Sequence, residues 1–456
     1  MQAAPAGTDA PLWLAQAFVV GEIAPMGRRD RRRRGPMLAS LFAVLAGGCS
    51  QDPAERAKKT PTAELLPAIV AAERASPEAA ALQSELAQRE AMQLVDALLP
   101  ALSSENLPLR HRAIDLLGWR ALDDDTLDQD SRQRAERALL QLLRSDDEDS
   151  RSFALCSLAC SWRTTNRDPV PEFLPTLRAQ LTAKSAMARN RACHAAAMSG
   201  PAVAELAPML IERCTTDSDV GVRMMAVAAL RTVAPNATAT YQAMTSSIVD
   251  SAPDVRRLAV THLQEAPGIE PATVQSLLRL LETDPDEDVR DGAADTLAAH
   301  TIGAESATRA LTTVLKLRDT IRKDEKLIAL GRLAAQATNS EPAKAARERL
   351  ERALYGSDAQ LTHMASCGLA RIAFAERNLE LAARMSKALN ATIGTADVDQ
   401  ALDLDLVREI ASTLVLLADW VELALDRAPV RAYLRGASEH ESWAARLLEQ
   451  LDKLGK

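Results

Sequence analysis

The sequence predicts an all-α protein, an α-solenoid of about nine helix-turn-helix repeats with capping helices at both ends. A pattern of the form apolar-Arg-x-x-Ala-x-x-x-apolar recurs along the chain, for example at Val222-Arg223 with Ala226 and Leu230. Successive copies lie roughly 33 to 46 residues apart, which is the spacing of stacked helical hairpins. Hydrophobic residues make up 47% of the chain and aromatic residues only 3%, which favours Ala- and Leu-based helix packing over β-sheets.

The same pattern places the individual repeats. Each repeat is expected to contain a helix A, a short acidic turn and a helix B that bears the pattern; in the fullest example these span 273–281, 284–288 and 289–299. Prolines such as Pro100 and Pro271 mark helix boundaries, because proline is tolerated only in the first turn of a helix. Segments 61–103 and 429–454 lack the pattern but are amphipathic, as terminal caps should be. The Arg position is occupied in chain order by Arg110, Arg151, Arg189, Arg223, Arg256, Arg290, Lys326, Thr362 and Arg408.

The N-terminal segment has the three parts of a secretory signal. Six arginines lie within residues 28–34, an apolar run follows at 37–45, and three small residues precede Cys49. The apolar run is too short to remain as a membrane-spanning helix. Residues 1–48 are therefore predicted to be an upstream extension and a lipoprotein signal peptide, with Met26 as an alternative start.

The surroundings of Cys49 resemble the lipobox of bacterial lipoproteins, although Ala46 stands where that motif usually has Leu. The resemblance implies cleavage before Cys49 and lipidation of its sulfur, and Ser50 resembles the outer-membrane type. An incidental thiol and twin-arginine export are the alternatives. Residues 49–60 are expected to form the lipidated cysteine and a flexible tether, followed by the solenoid over 61–456. The protein is thus expected in the cell envelope, on the periplasmic face of the outer membrane.

The repeat itself, with Asp before Val-Arg and then Ala and Leu along the second helix, resembles the HEAT repeat. The closest likeness is to the bacterial type named after phycobilisome lyases. The resemblance covers about residues 105–420 and is most specific at the copies of Arg223, Arg256 and Arg290. It implies a HEAT-like α-solenoid whose repeats contact only their neighbours.

The first position after the repeat Arg has no common chemistry, which is typical of an exposed surface adapted to a partner. Such positions often line the concave face of a solenoid. The second position is expected to point inward, and the fifth to be small because neighbouring B helices approach there. A protein partner is therefore expected to bind through His111, Ser152, Asn190, Met224, Arg257, Asp291, Leu327 and His363.

Acidic residues recur in the turns before the B helices. The structural interpretation is that they cap these helices and interact with the positive ends of the helix dipoles. The functional alternative is a ridge for a basic partner or for divalent cations. The structural interpretation is favoured because every repeat needs a cap, and the repeat arginines are likewise expected to form a ladder between repeats. The turn residues are Asp146 to Asp149, Asp217, Asp219, Asp254, Asp284 to Asp288, Asp324 and Asp358.

Five cysteines follow Cys49, so at least one would stay unpaired in an oxidising compartment. Small buried thiols are the simplest interpretation. A disulfide from Cys193 to either Cys156 or Cys160 is the alternative. A zinc site built from these three residues and His194 is disfavoured because the spacing is not that of an ordinary zinc motif, and no metal site is predicted. The five are Cys156, Cys160, Cys193, Cys214 and Cys367.

No catalytic motif occurs in the sequence: there is no phosphate-binding glycine loop, no nucleophile elbow and no HExxH. The formal net charge of −8 without a basic patch argues against nucleic acid as a partner. The sequence therefore predicts a non-enzymatic, lipid-anchored periplasmic scaffold without a cofactor, bound to the membrane by its lipid and to a protein partner. A lyase- or chaperone-like protein acting on a protein substrate is the main alternative, and a purely structural envelope protein is a third.

Overall fold

The structure is a computed structural model that describes residues 53–71, 80–82, 84–85, 91–118, 122, 127–165, 167–317, 323–355, 359–393, 404–420, 428–437 and 442–453. The regular structure of these residues is entirely helical and comprises 22 α-helices. The predicted all-α solenoid is confirmed. The predicted signal peptide over 1–48 and the predicted lipidation site at Cys49 lie outside the described residues.

Helices α1 to α14 belong to a compact unit of residues 48–302, the N-terminal unit. Short 3₁₀ segments precede α4 and α9, at Pro100–Ser103 and Gly200–Leu206. The helices are α1 (Pro53–Lys59), α2 (Thr62–Ala71), α3 (Ala91–Leu98), α4 (Leu107–Leu116), α5 (Gln129–Leu142), α6 (Glu148–Thr164), α7 (Phe173–Gln180), α8 (Ala186–Ser199), α9 (Ala207–Thr216), α10 (Val220–Val233), α11 (Thr238–Ser247), α12 (Pro253–Leu263), α13 (Pro271–Thr283) and α14 (Glu287–Ala299).

The remaining helices belong to a second compact unit, the C-terminal unit of residues 303–456. They are α15 (Ala304–Lys316), α16 (Lys323–Gln336), α17 (Glu341–Leu354), α18 (Ala359–Ala375), α19 (Leu379–Ile393), α20 (Leu404–Trp420), α21 (Ala428–Ala437) and α22 (Ser442–Lys453). No helix in the described ranges combines the length and the apolar character that a bilayer crossing requires.

Residues 53–59, which the sequence assigns to a flexible tether, form helix α1 instead. The side chain of Ala57 in this helix is buried, with 1% of its surface exposed. The sequence does not predict this short helix, because most of its residues are charged and one buried alanine gives no apolar periodicity.

Within each unit, each helix B packs against the helix B of the next repeat, so that the B helices of that unit form one layer. In the N-terminal unit the layer is α4, α6, α8, α10, α12 and α14; in the C-terminal unit it is α16, α18 and α20. The apolar positions of the repeat pattern lie between the layers, since Val222, Ala226 and Leu230 are fully buried. The described B helices therefore contain all nine copies of the predicted pattern.

Arg223 joins two consecutive repeats. Its Nη1 donates to the carbonyl oxygen of Asp217, at 2.9 Å, in the turn of its own repeat. Its Nε and Nη2 donate to the two carboxylate oxygens of Asp250 in the next turn, at 2.7 and 2.9 Å. Both side chains are about 90% buried. One arginine thus fixes the turn before its own helix and the turn of the following repeat.

The same two-pronged contact occurs in the neighbouring repeats. Arg189 holds Asp217 at 2.7 and 2.8 Å, and Arg256 holds Asp284 at 2.8 Å through both nitrogens. The predicted arginine ladder is confirmed for these repeats. Arg151 departs from it because Ala183 stands at the position of the acceptor aspartate; its Nη1 bonds only to the carbonyls of its own turn.

A second aspartate in several turns caps helix B. Asp219 accepts a hydrogen bond from the backbone N–H of Val222 at 3.0 Å, and Asp286 accepts one from Val289 at 3.0 Å. Asp147 does the same for α6, with Ser150 as the donor. These contacts confirm the structural interpretation of the acidic turns at these positions. The side chains of Asp324 and Asp358 lie outside the described part of the chain.

Two carboxylates of the ladder, those of Asp217 and Asp250, remain ionised in mild acid. Burial opposes the ionisation of Asp217 and Asp250, but hydrogen bonds from Arg189 and Arg223 outweigh it and lower the pKa of both carboxyl groups below 3.8. Asp147 is only half-buried; burial opposes its ionisation, yet hydrogen bonds from Ser150 and His111 lower its pKa to about 2. These carboxyl groups therefore bind protons less tightly in the folded protein than in the unfolded chain.

The C-terminal unit contains a buried acidic group of its own. Glu409 in α20 is 5% exposed and accepts a hydrogen bond from Arg371 Nε at 2.9 Å, and it also pairs with Arg332 of α16. Burial opposes its ionisation, but the two guanidinium charges lower its pKa. This triad ties the B helices of three repeats together.

Gly331 lies where α16 and α18 approach most closely. A Cβ atom at this residue would lie 2.2 Å from the Cα atom of Gly368. Gly331 occupies the fifth position of its repeat, so the prediction of a small residue at a close approach of B helices is confirmed here.

We expect acid to destabilise the protein as Asp217 and Asp250 take up protons. Because the folded-state pKa is lowered, their stabilisation is complete above the unfolded pKa of about 4 and is lost as pH falls through the folded values. Asp250→Asn should cost about 1–3 kcal/mol at neutral pH and flatten the decline in unfolding free energy below pH 4. Urea unfolding measured from neutral pH to below pH 4 gives the loss of stability and its dependence on pH. Asp254→Asn, in the more exposed first turn of α12, is the control, and an equal flattening in both variants would contradict the expectation.

We expect Gly331→Ala to destabilise the C-terminal unit by about 1–3 kcal/mol or more, since the methyl group has no space without separating α16 from α18. The control is Gly436→Ala in α21, where an added Cβ would meet no atom within 4 Å. Denaturant unfolding of the two variants gives the comparison. Equal stability of the two variants would show that the backbones of α16 and α18 are not in the close contact described.

Candidate functional site

The residue after the repeat Arg contacts the next turn in two of the repeats. His111 Nε2 is 2.9 Å from the carboxylate of Asp147, and Arg257 Nη2 is 3.4 Å from that of Asp286. These two side chains connect consecutive repeats, so only part of their surface can contact a partner. Met224, Asp291 and His363 are half-buried as well.

Exposure was wrongly predicted for three residues of this set. Ser152, Asn190 and Leu327 are buried, with exposed fractions of 0%, 4% and 5%. Ser152 donates to the carbonyl of Asp149 in its own first turn, and Asn190 lies against Gly221 at the start of α10. Their side chains are covered because successive B helices pack directly on each other.

On α4, α6 and α8 the outer surface of the B layer includes residues of the second position and, at Asp115 and His194, of the fifth. An inward second position is confirmed for the buried Met225 and Met364, but it is wrong for Arg112, Phe153 and Arg191, which are half-buried. Their large or charged side chains stay partly in solvent, whereas methionine is covered completely. We call the surface formed by His111, Arg112, Asp115, Phe153, Arg191 and His194 the α4–α6–α8 patch.

A stack of three side chains crosses this patch from helix to helix. The rings of His111 and Phe153 have centroids 4.8 Å apart and planes inclined by 30°. Arg191 Cζ lies 3.2 Å from the centroid of the Phe153 ring on α6. An arginine over an aromatic face is attracted by the ring quadrupole, so the stack links α4, α6 and α8. The chain has only five phenylalanines, and this rarity was the signal available in the sequence.

The charges of the patch are only partly paired. Arg112 Nη1 bonds to Asp115 at 3.1 Å, and burial raises the pKa of Asp115. Arg191 Nη1 is buried and has no hydrogen-bond acceptor among the described residues. Burial lowers the pKa of Arg191. A buried guanidinium N–H without an acceptor is costly and marks a place where a ligand can supply one.

Two thiols and an imidazole lie beside Arg191. Cys156 Sγ is 2.8 Å from His194 Nδ1, and the ligand atoms of Cys156, Cys160 and His194 all lie within 4.8 Å of one another. The hydrogen bond from Cys160, together with the charge of His194, lowers the pKa of Cys156 well below its usual range despite burial. The pKa of His194 is raised because the Cys156 charge outweighs burial. Together these shifts favour a thiolate paired with an imidazolium.

The five cysteines of the described ranges are all free thiols, so neither disulfide considered from the sequence is formed. Cys193 is fully buried and does not belong to the group of Cys156, Cys160 and His194. Burial raises the pKa of Cys193 and Cys367, and it raises that of Cys214 to about 11. Cys193, Cys214 and Cys367 therefore fit the interpretation of small buried thiols.

A family model of HEAT repeats matches residues 136–231 and 241–351. The HEAT-like nature of the repeats is therefore confirmed in these ranges, which contain the arginine ladder. HEAT repeats generally mediate interactions between proteins. No curated protein sequence matches the chain.

Several solved structures are similar to the chain. An engineered protein aligns with 79% of this chain and 99% of its own length, at 19% identity and a TM-score of 0.46. The Escherichia coli protein YibA aligns with 72% of this chain and 98% of its own length, at 16% identity and a TM-score of 0.43. Kap95p, which binds RanGDP, aligns with 88% of this chain at 12% identity and a TM-score of 0.45; the chain spans 55% of its length.

We expect Arg191 and Phe153 to stabilise the fold as a coupled pair. Arg191→Met and Phe153→Leu, made singly and together, should show a coupling free energy of about 1–2 kcal/mol in denaturant unfolding. The control cycle combines Phe153→Leu with Arg112→Met, which removes an arginine at the same repeat position that is hydrogen-bonded to Asp115. Additive effects in the first cycle would mean that the cation does not interact with the ring.

Proposed function

We propose that this protein is a non-enzymatic, lipid-anchored periplasmic scaffold that holds a protein partner on its B-helix layer. The observation that supports the proposal most is the α4–α6–α8 patch, where a stacked phenylalanine and arginine stand at the surface of HEAT repeats. Arginine and aromatic residues are enriched among the residues that dominate binding energy at protein interfaces. The arginine ladder supports it too, because Arg189 fixes α8, which contributes Arg191 to the patch, and so lowers the cost of ordering this helix on binding.

The chemistry of the patch specifies the kind of partner segment. Arg191 Nη1 needs an acceptor, which a carboxylate or a backbone carbonyl of the partner would provide. The face of Phe153 and the ring of His111 would bury an apolar side chain beside it. We therefore expect a segment with an acidic residue next to an apolar one.

Site-specific photo-crosslinking in cells tests the proposal. A photoreactive amino acid in place of Arg112, on the patch, should give a discrete crosslink to one protein. The same residue in place of Gln242, exposed on helix A of another repeat, is the control and should not give it. Adding Arg191→Met should reduce the crosslink by about tenfold or more, as expected for a dominant interface residue.

The outcomes separate the alternatives. Equal crosslinking from both positions, or a yield unaffected by Arg191→Met, would contradict binding at the patch. A crosslinked protein recovered with a new covalent group in the wild type, but not in a deletion strain, would instead support the lyase-like alternative.

The lipid anchor is a separate part of the proposal and rests on the signal-like segment before Cys49. Mass spectrometry of the mature N-terminus should find a diacylated Cys49 in the outer-membrane fraction. Cys49→Ser should release the protein from that fraction. An intact chain beginning before residue 49 in the soluble fraction would overturn the location and the anchor together.

A further inference from the structure

The repeat architecture places two cysteines and a histidine at one point of the B layer. Cys156 and Cys160 occupy the fifth and ninth positions after Arg151, one helical turn apart on α6. His194 occupies the fifth position of the next repeat, on α8, and the two helices pack directly against each other. Stacking of repeats, rather than a local sequence motif, therefore brings the three side chains together.

The three side chains supply one soft donor set. Two thiol sulfurs and one imidazole nitrogen lie within 4.8 Å of one another, with both thiols buried and the imidazole half-buried. In a zinc site the metal–sulfur and metal–nitrogen distances are about 2.3 and 2.0 Å, so donors around one ion lie about 3.5 to 4 Å apart. Small rotations of the side chains would bring these atoms to that separation.

We propose that Cys156, Cys160 and His194 bind one thiophilic metal ion, Cu⁺ or Zn²⁺. Thiolate and imidazole donors select these soft or borderline ions over Mg²⁺ and Ca²⁺, which require oxygen. Binding releases two protons to solvent as the metal–ligand bonds form, one from the Cys160 thiol and one shared by Cys156 and His194, and leaves two thiolates and a neutral imidazole as ligands. The proposal does not depend on the partner-binding function.

The charges around the cluster distinguish the two ions. Two thiolates and a neutral imidazole give a neutral centre with Zn²⁺ and a centre of charge −1 with Cu⁺. Arg191 is close enough to interact electrostatically with Cys156, and Asp115 is already paired with Arg112. The positive charge of Arg191 therefore complements a Cu⁺ centre, whereas Zn²⁺ would need a fourth ligand such as water or the Asp115 carboxylate.

The chain contains a matched control for this site. Cys367 in α18 occupies the same fifth position as Cys156 and is also fully buried. The ninth position of that repeat is Arg371, which pairs with Glu409, so no second thiol faces it. Cys367→Ala removes one buried thiol without touching the proposed donor set.

The test uses the full chain, purified with reduced thiols and without metal. Competition against a chromophoric Cu⁺ chelator, and separately against a Zn²⁺ indicator, should give one bound ion per chain for one or both metals. Cys156→Ala, Cys160→Ala and His194→Gln should each weaken binding by at least about tenfold, whereas Cys367→Ala should not. Circular dichroism confirms that the variants are folded.

Two further readouts keep the result unambiguous. Co²⁺ added to the wild type should produce sulfur-to-cobalt charge-transfer absorption that disappears in Cys156→Ala, and the metal should raise the melting temperature of the wild type but not of that variant. Binding of either ion alone, or of both, supports the site, and the relative affinities identify the ion it prefers. Absence of stoichiometric binding by either ion, or equal loss in Cys367→Ala, would overturn the proposal.

Discussion

The contact between one repeat's arginine and the next repeat's aspartate is the interaction on which the rest of the solenoid depends. Arg223 and Asp250 are nearly buried, and a buried charge is tolerated only when its partner and its hydrogen bonds are complete. Both conditions are met, since the guanidinium also bonds to the turn of its own repeat and Asp250 accepts the backbone N–H of Ala252. A repeat displaced or rotated along the stack would leave these charges unpaired. The ladder therefore fixes the register between repeats, while burial of Ala, Val and Leu supplies most of the stabilisation.

The register has a direct consequence for the surface. Where the arginine faces the adjacent turn, the residue after it contacts that turn at His111 and Arg257, and three second-position side chains reach the surface of the layer, those of Arg112, Phe153 and Arg191. His111 thus contacts Asp147, whereas Phe153 and Arg191 meet each other above α6 and α8. The same geometry brings His194 to Cys156. The α4–α6–α8 patch and the thiol cluster are both products of repeat stacking.

Much of the fold could be predicted because the repeat pattern encodes it locally. The Val-Arg-Ala-Leu spacing, the capping aspartates and the ladder all follow from positions within one repeat, and the structure has them at Arg189, Arg223 and Arg256. The candidate site was predicted less well. The exposure of a position depends on the rotation of the next B helix, and the sequence of a single repeat does not specify that rotation. Ser152, Asn190 and Leu327 were therefore wrongly predicted to lie at the surface. The stack of His111, Phe153 and Arg191 draws one residue from each of three repeats, a contact that spacing within a repeat does not reveal.

A double-mutant cycle on Arg256 and Asp284 tests the central role of the ladder most directly. Arg256→Met and Asp284→Asn should each lower the unfolding free energy by about 3 kcal/mol, because each leaves a nearly buried polar group without its partner. The double variant should lose clearly less than the sum, which corresponds to a coupling of about 1.5–3 kcal/mol. Strictly additive losses, or single losses below about 0.5 kcal/mol, would show that the ladder does not hold the repeats in register.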